Sequence, residues 1–507
     1  MALAIVHSRA CVGVEAPCVT VEVHISNGLP GFALVGLPET TVKEARDRVR
    51  SAIVTSNFEF PSRRITVNLA PADLPKEGGR FDLPIALGIL VASGQLPEKR
   101  LNEFEFLGEL ALSGQLRPVK GALPAALASQ KAQRALVVPD DNANQVALVD
   151  NKRHVSAPDL IAVSQHLAGQ QNLCLNVVPA VNDMPTSTRC LRDIIGQQQG
   201  KRALEIAASG SHNLLFVGPP GTGKTMLASR LCDLLPPMND DEALASASVT
   251  SLTQQPLHEG NWRQRPFRSP HHSSSMAALV GGGSVPRPGE ISLSHHGVLF
   301  LDEMPEFERR VLDALREPLE SGEIVISRVN GKTRFPARFQ LIGALNPSPT
   351  GHHEGELARS NPQQILRYLA RLSGPLLDRF DMSIDIPALP RGSLSSGGER
   401  GESTPTVKAR VAAARERMLV RQGKVNALLS NREMEQYCQL AQTDAAFLEQ
   451  ALHRLGLSVR AYHRIIKVAR TIADLAEAES ISRPHLAEAL GYRAMDGLLR
   501  HLNAQVS

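Results

Sequence analysis

The sequence predicts an α/β protein built from three successive parts, and three observations support this prediction. Strand-like and helix-like stretches alternate over residues 1–170, which is typical of an α+β domain. Near residue 220 a β-rich run leads directly into a glycine-rich loop and then a helix. From about residue 407 onwards the apolar residues recur with the 3.6-residue spacing of helices.

Two polar stretches are expected to separate these parts. Residues 171–192 contain the Pro-containing sequence NVVPAVNDMPTSTRC, and residues 391–406 are rich in Ser and Gly. The expected domains therefore span residues 1–170, 193–390 and 407–507.

The composition indicates a soluble, folded chain. Of its 507 residues 42% are hydrophobic and 21% charged, and the net charge of +4 permits a nucleic-acid partner without requiring one. The six cysteines are sparse and form no C-x-x-C pair, which favours free thiols in a reducing cytoplasm. The longest apolar stretch, LPIALGILVASG, is too short to span a bilayer, so we expect a cytoplasmic protein without a membrane partner.

The clearest motif is the loop GPPGTGKT, which lies between a strand-like run and a helix as a phosphate-binding G-x-x-x-x-G-K-T loop must. Its glycines allow backbone N–H groups to surround phosphates, and the helix N-terminus attracts negative charge. Lys224 is expected to reach the β- and γ-phosphates of ATP, and Thr225 is expected to bind Mg²⁺. The predicted nucleotide-binding residues are Gly218, Pro219, Pro220, Gly221, Thr222, Gly223, Lys224, Thr225 and Asp302.

The run HGVLFLDEMPEF predicts a buried parallel strand that ends in two acids. Asp302 is expected to complete the Mg²⁺ site with Thr225, and Glu303 is expected to be the base that activates water. The alternative is a pair of solvated acids at a strand end. The phosphate-binding loop upstream favours the catalytic interpretation.

A further buried strand, FQLIGALNPS, is predicted to end at Asn346, where a polar side chain would orient the attacking water. The alternative is an Asn-Pro pair that only forms a turn. Arg379 in SGPLLDRFDM and Arg460 in GLSVRAYHR are, from the sequence alone, compatible with ordinary surface arginines.

Between the last two strands, SGEIVISRVNGKTRFPARF predicts a β-hairpin, because Asn330-Gly331 separates two β-prone runs. Arg328, Lys332 and Arg334 flank its tip. Their charges could simply keep an exposed strand edge soluble.

These motifs together resemble an AAA+ ATPase of the magnesium-chelatase/MCM group: GPPGTGKT, the hairpin between LFLDE and ALNPS, and LLDRFD followed by helices containing SVR. Over nearly the whole chain the sequence is similar to the YifB/ComM family of bacterial magnesium-chelatase-like proteins. The segments that carry this similarity are GLPETTVKEARDRVRSAI, NLAPADLPKEGGRFDLPIAL, QRPFRSPHHSSSMAALVGGG and RLSGPLLDRFD.

The resemblance implies a role for several residues. Arg379 matches an arginine finger that acts on ATP held by the neighbouring subunit, which requires a closed ring, with six subunits expected. Asn346 matches the first sensor, and Arg460 matches the second sensor on a helical lid. In MCM-like relatives the hairpin enters the central pore and contacts DNA, so Arg328, Lys332 and Arg334 become candidate phosphate contacts. A second, weaker set is Arg263, Arg265 and Arg268.

The N-terminal part resembles the proteolytic domain of Lon, an α+β domain of the ribosomal S5 domain 2 type. LPKEGGRFDLP and SGQLRPVKGALPAAL match the stretches that carry the catalytic serine and lysine. Arg80 and Leu123 occupy those two positions here, and neither side chain can replace the residue expected. We therefore expect no peptidase activity and a structural or DNA-guiding role.

Three histidine pairs, His271-His272, His295-His296 and His352-His353, raise the question of a metal site. Neighbouring residues of an extended backbone point to opposite faces, so such pairs rarely share one ion. The segment after Asn346 also lacks cysteine, and we expect no zinc.

The function expected from these residues and the resemblance is an ATP-driven, hexameric motor on single-stranded or branched DNA. Helicase or branch-migration activity would promote DNA integration during natural transformation. The alternative is a chelatase-like or chaperone-like ATPase that remodels a protein partner. Aromatic residues in the pore would favour a polypeptide substrate, whereas the predicted hairpin tip is polar and basic.

Overall fold

The computed structural model describes residues 2–35, 44–74, 76, 78–149, 153–176, 189–253, 262–283, 286–328, 331–352, 359–390 and 401–506. Within these residues the chain is a mixed α/β protein that contains a fully parallel sheet. The predicted α/β class is therefore confirmed.

The N-terminal region, residues 2–176, is built on a seven-stranded mixed sheet of order β3-β4-β2-β1-β5-β8-β9. The strands of this region are β1 (Ala2–Arg9), β2 (Cys18–Ser26), β3 (Gly31–Val35), β4 (Arg64–Ala70), β5 (Phe104–Phe106), β6 (Glu109–Leu110), β7 (Leu116–Arg117), β8 (Ala135–Pro139) and β9 (Val155–Ala157). Strands β6 and β7 pair with each other in a separate two-stranded sheet. Its helices are α1 (Ala45–Thr55), α2 (Asp82–Ala92), α3 (Ala122–Lys131), α4 (Ala143–Ala147) and α5 (Leu160–Leu167). In β2, buried Val19, Val21, Val23 and Ile25 alternate with more exposed residues, as expected of a strand with one face in the core.

The second sheet lies within residues 198–385. It has five strands in the order β11-β14-β17-β10-β18. The strands of this segment are β10 (Leu214–Val217), β11 (Phe267–Arg268), β12 (Gly281–Gly282), β13 (Arg287–Pro288), β14 (Val298–Leu301), β15 (Glu323–Arg328), β16 (Gly331–Pro336), β17 (Gln340–Leu345) and β18 (Met382–Asp385). The helices are α6 (Gln198–Gly210), α7 (Lys224–Leu234), α8 (Asp240–Thr250), α9 (Met276–Val280), α10 (Glu290–Leu293), α11 (Arg309–Asp313), α12 (Arg316–Ser321), α13 (Pro362–Leu369) and α14 (Gly374–Leu377).

The three central strands of this sheet, β14, β17 and β10, are buried at every position. Continuous apolar runs are typical of parallel strands covered on both faces. Because β10 is parallel to β17 and β17 to β14, their carboxyl ends share one edge of the sheet. The residues that follow these strands therefore lie near one another.

The described residues from 404 to 506 are dominated by helices, as the apolar spacing predicts. These helices are α15 (Thr404–Gln422), α16 (Asn431–Tyr437), α17 (Gln442–Arg454), α18 (Val459–Leu475), α19 (Arg483–Gly491) and α20 (Ala494–Val506). Helix α15 begins inside the expected linker, and the hydroxyl of Ser403 accepts a hydrogen bond from Thr406 N at its N-terminus. Residues 391–400 lie outside the described residues.

The C-terminal helices share one core with the parallel sheet. Ile465 and Ile472 of α18 are buried in the same apolar cluster as Leu204 of α6. A buried hydrogen bond of 2.7 Å joins Thr471 Oγ1 of α18 to the imidazole of His212, just before β10. Among the described residues, no helix combines the length and the apolar character needed to cross a bilayer.

Candidate nucleotide-binding site and basic hairpin

The loop between β10 and α7 has the conformation that its glycines permit. Gly221 and Gly223 adopt φ angles of +77° and +89°, which side chains rarely tolerate. A Cβ at either residue would meet no atom within 4 Å, so backbone conformation rather than crowding requires glycine. At Gly218 a Cβ would lie 2.3 Å from the carbonyl oxygen of Ile386, so close packing requires glycine there. This geometry fits a phosphate bound against the loop backbone.

Lys224 is the first residue of α7, and its ammonium group joins the loop to the neighbouring strand. Lys224 Nζ donates hydrogen bonds to the carbonyl oxygens of Gly218 and Pro219, both at 2.7 Å. It also donates to Asn346 Oδ1 at 3.1 Å, just after β17. Burial lowers the pKa of Lys224, and the nearby carboxylates of Asp302 and Glu303 oppose that effect.

Thr225 and Asp302 meet at the same edge of the sheet. Thr225 Oγ1 donates a hydrogen bond to Asp302 Oδ2 at 2.5 Å, and Asp302 follows β14 directly. The other carboxylate oxygen accepts a hydrogen bond of 3.0 Å from the backbone N–H of Glu303. A hydroxyl and a carboxylate beside a phosphate-binding loop are the oxygen ligands that Mg²⁺ prefers, so these residues fit the metal.

Glu303 has an unusual backbone and a neighbour that the sequence interpretation missed. Its φ of +51° lies in the left-handed region, which is uncommon for a residue other than glycine. Its Oε2 lies 3.5 Å from Nδ1 of His272, a residue that the sequence analysis weighed only as part of a possible metal site. His272 follows Phe267–Arg268, a strand of two residues that pairs with β14, and so short a strand leaves almost no signal in the sequence.

The two predicted arginines are near each other but have different environments. The guanidinium of Arg379 contacts the carboxylate of Glu320, and its side chain is 22% exposed. Burial and the positive charges of Arg464, Arg316 and Arg460 lower the pKa of Arg379. The side chain of Arg460 is 71% exposed, and its Nη1 lies 3.1 Å from Asp378 Oδ2. In the described part of the chain, no hydrogen bond or ion pair links either arginine to the phosphate-binding loop.

The predicted hairpin is confirmed in the antiparallel pairing of β15 and β16. Its alternate residues Ile324, Ile326, Thr333 and Phe335 are buried, whereas Lys332 and Arg334 are exposed. The Arg334 side chain is 68% exposed and makes a 3.4 Å ion pair with Glu323 at the base of the hairpin. One face therefore packs on the core, and the other presents basic groups to solvent. The predicted turn residue Asn330 and the side chain of Arg328 lie outside the described residues.

The weaker basic set has acidic partners within the chain. Arg265 makes a 2.9 Å ion pair with Glu242 and is largely buried, and Arg263 pairs with Asp240. Arg268 Nε lies 3.7 Å from Glu290. The burial of Arg265 gives it a structural role. The hairpin, on which Lys332 and Arg334 are both exposed, is the stronger candidate for a nucleic-acid contact.

The positions expected to carry a protease's serine and lysine are buried. Arg80 is 6% exposed, and its guanidinium donates to the carbonyl oxygens of Arg9, at 3.2 Å, and of Lys120. Leu123 is fully buried in an apolar cluster that includes Ala247 of α8. Arg80 and Leu123 thus have packing partners and no nucleophile or base chemistry.

Comparison with known protein families gives three matches along the chain. The model described as "Magnesium chelatase, subunit ChlI" matches residues 190–394. The model described as "Subunit ChlI of Mg-chelatase" matches residues 21–142, and "Magnesium chelatase, subunit ChlI C-terminal" matches residues 401–493.

Curated proteins are similar to this chain over its full length or over part of it. Competence protein ComM of Haemophilus influenzae is 63% identical over 507 residues, which cover 99% of this chain and 100% of that protein. The uncharacterized protein YifB of Escherichia coli is 58% identical over 504 residues, 99% of each chain. The magnesium-chelatase 38 kDa subunit of Cereibacter sphaeroides is 31% identical over 213 residues, 38% of this chain and 57% of that protein. The chain therefore belongs to the YifB/ComM family of magnesium-chelatase-like proteins.

Proposed function

We propose that this chain is an ATP-hydrolysing motor that acts on single-stranded or branched DNA. The observation that carries the proposal is the convergence of Lys224, Thr225, Asp302 and Asn346 at one edge of the parallel sheet. These are the group types that bind a nucleoside triphosphate and its metal.

The residues divide the work of hydrolysis as follows. Lys224 binds the β- and γ-phosphates, and Asn346, its hydrogen-bond partner, orients the attacking water. Glu303 accepts the proton of that water. Mg²⁺, held by Thr225 and Asp302, would neutralise phosphate charge when bound.

The role proposed for Arg379 requires a closed ring, and we propose six subunits because the resemblance implies that number. Its contact is with Glu320 of its own chain, and among the described residues no hydrogen bond or ion pair joins it to its own phosphate-binding loop. As an arginine finger it would act on ATP of the neighbouring subunit. The helices from about residue 407 onwards would form the lid, with Arg460, in the first turn of α18, as its sensor.

We further propose that residues 1–170 form a Lon-like domain without peptidase activity and that residues 193–390 form the AAA+ core, joined by linkers at 171–192 and 391–406.

DNA would contact the outward face of the hairpin through Lys332 and Arg334, with Arg328 as a third candidate. The Haemophilus influenzae relative is named a competence protein. By extension, the motor of this chain would promote DNA integration during natural transformation in the cytoplasm.

The decisive experiment measures steady-state ATP turnover with and without single-stranded and branched DNA. The wild type is compared with Lys332→Ala/Arg334→Ala and with the control Lys99→Ala/Lys131→Ala, which removes two exposed charges from the N-terminal region. DNA should stimulate the wild type and the control but not the hairpin variant, because backbone phosphates are bound by charge.

An absence of DNA stimulation in all three proteins would contradict the DNA motor. The alternative, an ATPase that remodels a protein partner, would then be favoured. The observation that supports this alternative is the 31% identity to a magnesium-chelatase subunit over the matched residues.

A further inference from the structure

We propose that the turn between β1 and β2, residues 10–17, packs against the basic hairpin and holds it in position. We call this contact the brace, and we propose that Arg80 and Leu123 fix it in place. The N-terminal region would thus determine where the hairpin lies and how DNA bound there affects ATP turnover. The second consequence rests on the proposed function, whereas the brace itself does not.

The contact is closest at Gly13, which has a φ of +59°. A Cβ added there would lie 2.8 Å from Thr333 Cγ2 and 2.9 Å from the carbonyl oxygen of Arg334, both in β16. Real Cβ atoms do not approach a backbone oxygen so closely, so even alanine would displace the turn from the hairpin. The glycine therefore allows two segments, more than 300 residues apart in the sequence, to pack backbone against backbone.

Apolar side chains extend this contact on both sides of Gly13. Cys11 and Val14 pack against a buried cluster that contains Ile326 and Phe335 of the hairpin. Two hydrogen bonds of 3.0 Å between Val12 and Glu15 close the turn. The buried face of the hairpin is thus covered in part by the N-terminal region.

Arg80 ties this turn to a second contact with the core. Its guanidinium donates to the carbonyl of Arg9, where the turn begins, and to the carbonyl of Lys120. The next residue, Gly121, donates its N–H to the carbonyl of Ser251, just after α8, at 3.1 Å. One side chain therefore fixes the two backbone segments that meet the ATPase core.

Leu123 contributes the apolar part of the second contact. With Ala122 and Ala126 of α3 it packs in the cluster that contains Ala247 of α8 and, at its edge, Leu244. Of the two positions that the resemblance assigns to protease chemistry, Arg80 thus supports the segments that contact the core, and Leu123 packs in the shared cluster itself.

A direct structural path leads from the brace to the nucleotide site. Strand β16 continues through three residues into β17, which ends beside Asn346. Ala337 N donates a hydrogen bond of 2.8 Å to the carbonyl of Gly322, which fixes the base of the hairpin. Strand β17 is therefore the route by which DNA bound at the hairpin would act on Asn346, the hydrogen-bond partner of Lys224.

The test compares Gly13→Ala with Gly94→Ala. Gly94 also lies in the N-terminal region with a positive φ, +78°, but a Cβ there would meet no atom within 4 Å. Both variants carry a similar backbone strain, and only Gly13→Ala crowds the hairpin. Amide hydrogen exchange of the peptide 331–336 should be on the order of tenfold faster in Gly13→Ala than in Gly94→Ala. DNA stimulation of ATP turnover should fall towards the basal rate, with the basal rate itself retained.

A third substitution tests whether the contact with Thr333 is the cause. Thr333→Ser removes the methyl group that lies over Gly13, so the double variant Gly13→Ala/Thr333→Ser should recover part of the slow exchange. Recovery is expected to be partial because the Arg334 carbonyl still crowds residue 13. Equal exchange in Gly13→Ala and Gly94→Ala, or no recovery in the double variant, would overturn the brace. If DNA stimulates none of the proteins, the motor proposal fails, and the exchange rates still decide whether the brace exists.

Discussion

Lys224 Nζ lies 3.1 Å from Asn346 Oδ1, and this hydrogen bond joins the phosphate-binding loop to the end of the adjacent parallel strand. The same ammonium donates to two carbonyls of the loop at 2.7 Å. Asn346 is therefore attached to the group that would bind phosphate. A turn-forming Asn-Pro pair would not require this contact.

Asn346→Ala should lower ATP turnover by about 10²-fold, because a positioned polar group at a reacting centre is lost. ATP affinity should change little, since the loop and Lys224 remain. Steady-state kinetics and equilibrium binding of ATP separate the two effects. Asn431→Ala, at an exposed position on α16, serves as the control. Unchanged turnover in Asn346→Ala would show that the asparagine only forms the turn.

Glu303→Gln should retain ATP binding and assembly while turnover falls by about 10²–10⁴-fold, since an amide cannot accept the proton of water. The substitution preserves the shape of the side chain and removes only the carboxylate that we propose as the base. Single-turnover hydrolysis measures the chemical step directly.

The matched control for this base is Glu306→Gln. Glu306 lies three residues further on and pairs with Arg371 at 3.2 Å. This variant should turn over ATP as the wild type does. A Glu303→Gln protein that retained full turnover would remove Glu303 from the mechanism.

A mixing experiment can test the role of Arg379 in the neighbouring subunit. Arg379→Ala and Lys224→Ala should each abolish turnover, because one removes the finger and the other the phosphate contact. When the two are co-assembled, some interfaces combine an intact loop of one subunit with an intact arginine of the next. Turnover should then reappear and rise with the fraction of mixed rings. An inactive mixture, with mixed assembly verified by native mass spectrometry, would contradict action between subunits.

The sequence was sufficient to predict the parallel sheet, the hairpin and the proximity of four site residues. These follow from local patterns: an apolar strand and a terminal polar residue determine where Asp302 and Asn346 lie. The neighbour of Glu303 could not be predicted in this way. The position of His272 beside Glu303 depends on the pairing of a two-residue strand with β14. So short a strand leaves almost no periodicity of apolar residues in the sequence.

Contacts between segments that are distant in the sequence could not be predicted either. Gly13 is one glycine among 38, and only the fold brings it against Thr333. The intrachain acidic partners of Arg263 and Arg265 were equally hidden, because α8 supplies both of them. Basic residues that lie close together in the sequence predict a positively charged surface only when the fold does not place acidic side chains beside them.

His154 should make the stability of the protein depend on pH. It is 1% exposed, and its Nδ1 accepts a hydrogen bond from Leu136 N at 2.9 Å, which requires the neutral ring. Burial, together with the charge of Arg153, lowers the pKa of His154 from 6.5 to about 4. Between those values the unfolded chain binds a proton that the folded chain does not, so stability falls as the pH falls from 6.5 towards 4.

At pH 5 this difference amounts to about 2 kcal/mol of lost unfolding free energy relative to pH 7. His154→Asn keeps a hydrogen-bond acceptor near Nδ1 but cannot titrate, so its unfolding free energy should decline less over the same range. His453→Asn, at an exposed position at the end of α17, should leave the wild-type dependence unchanged. Urea unfolding followed by circular dichroism at pH 7 and pH 5 gives the three differences. Equal declines in all three proteins would mean that folding does not lower the pKa of His154 and that the hydrogen bond from Leu136 N does not hold the ring neutral.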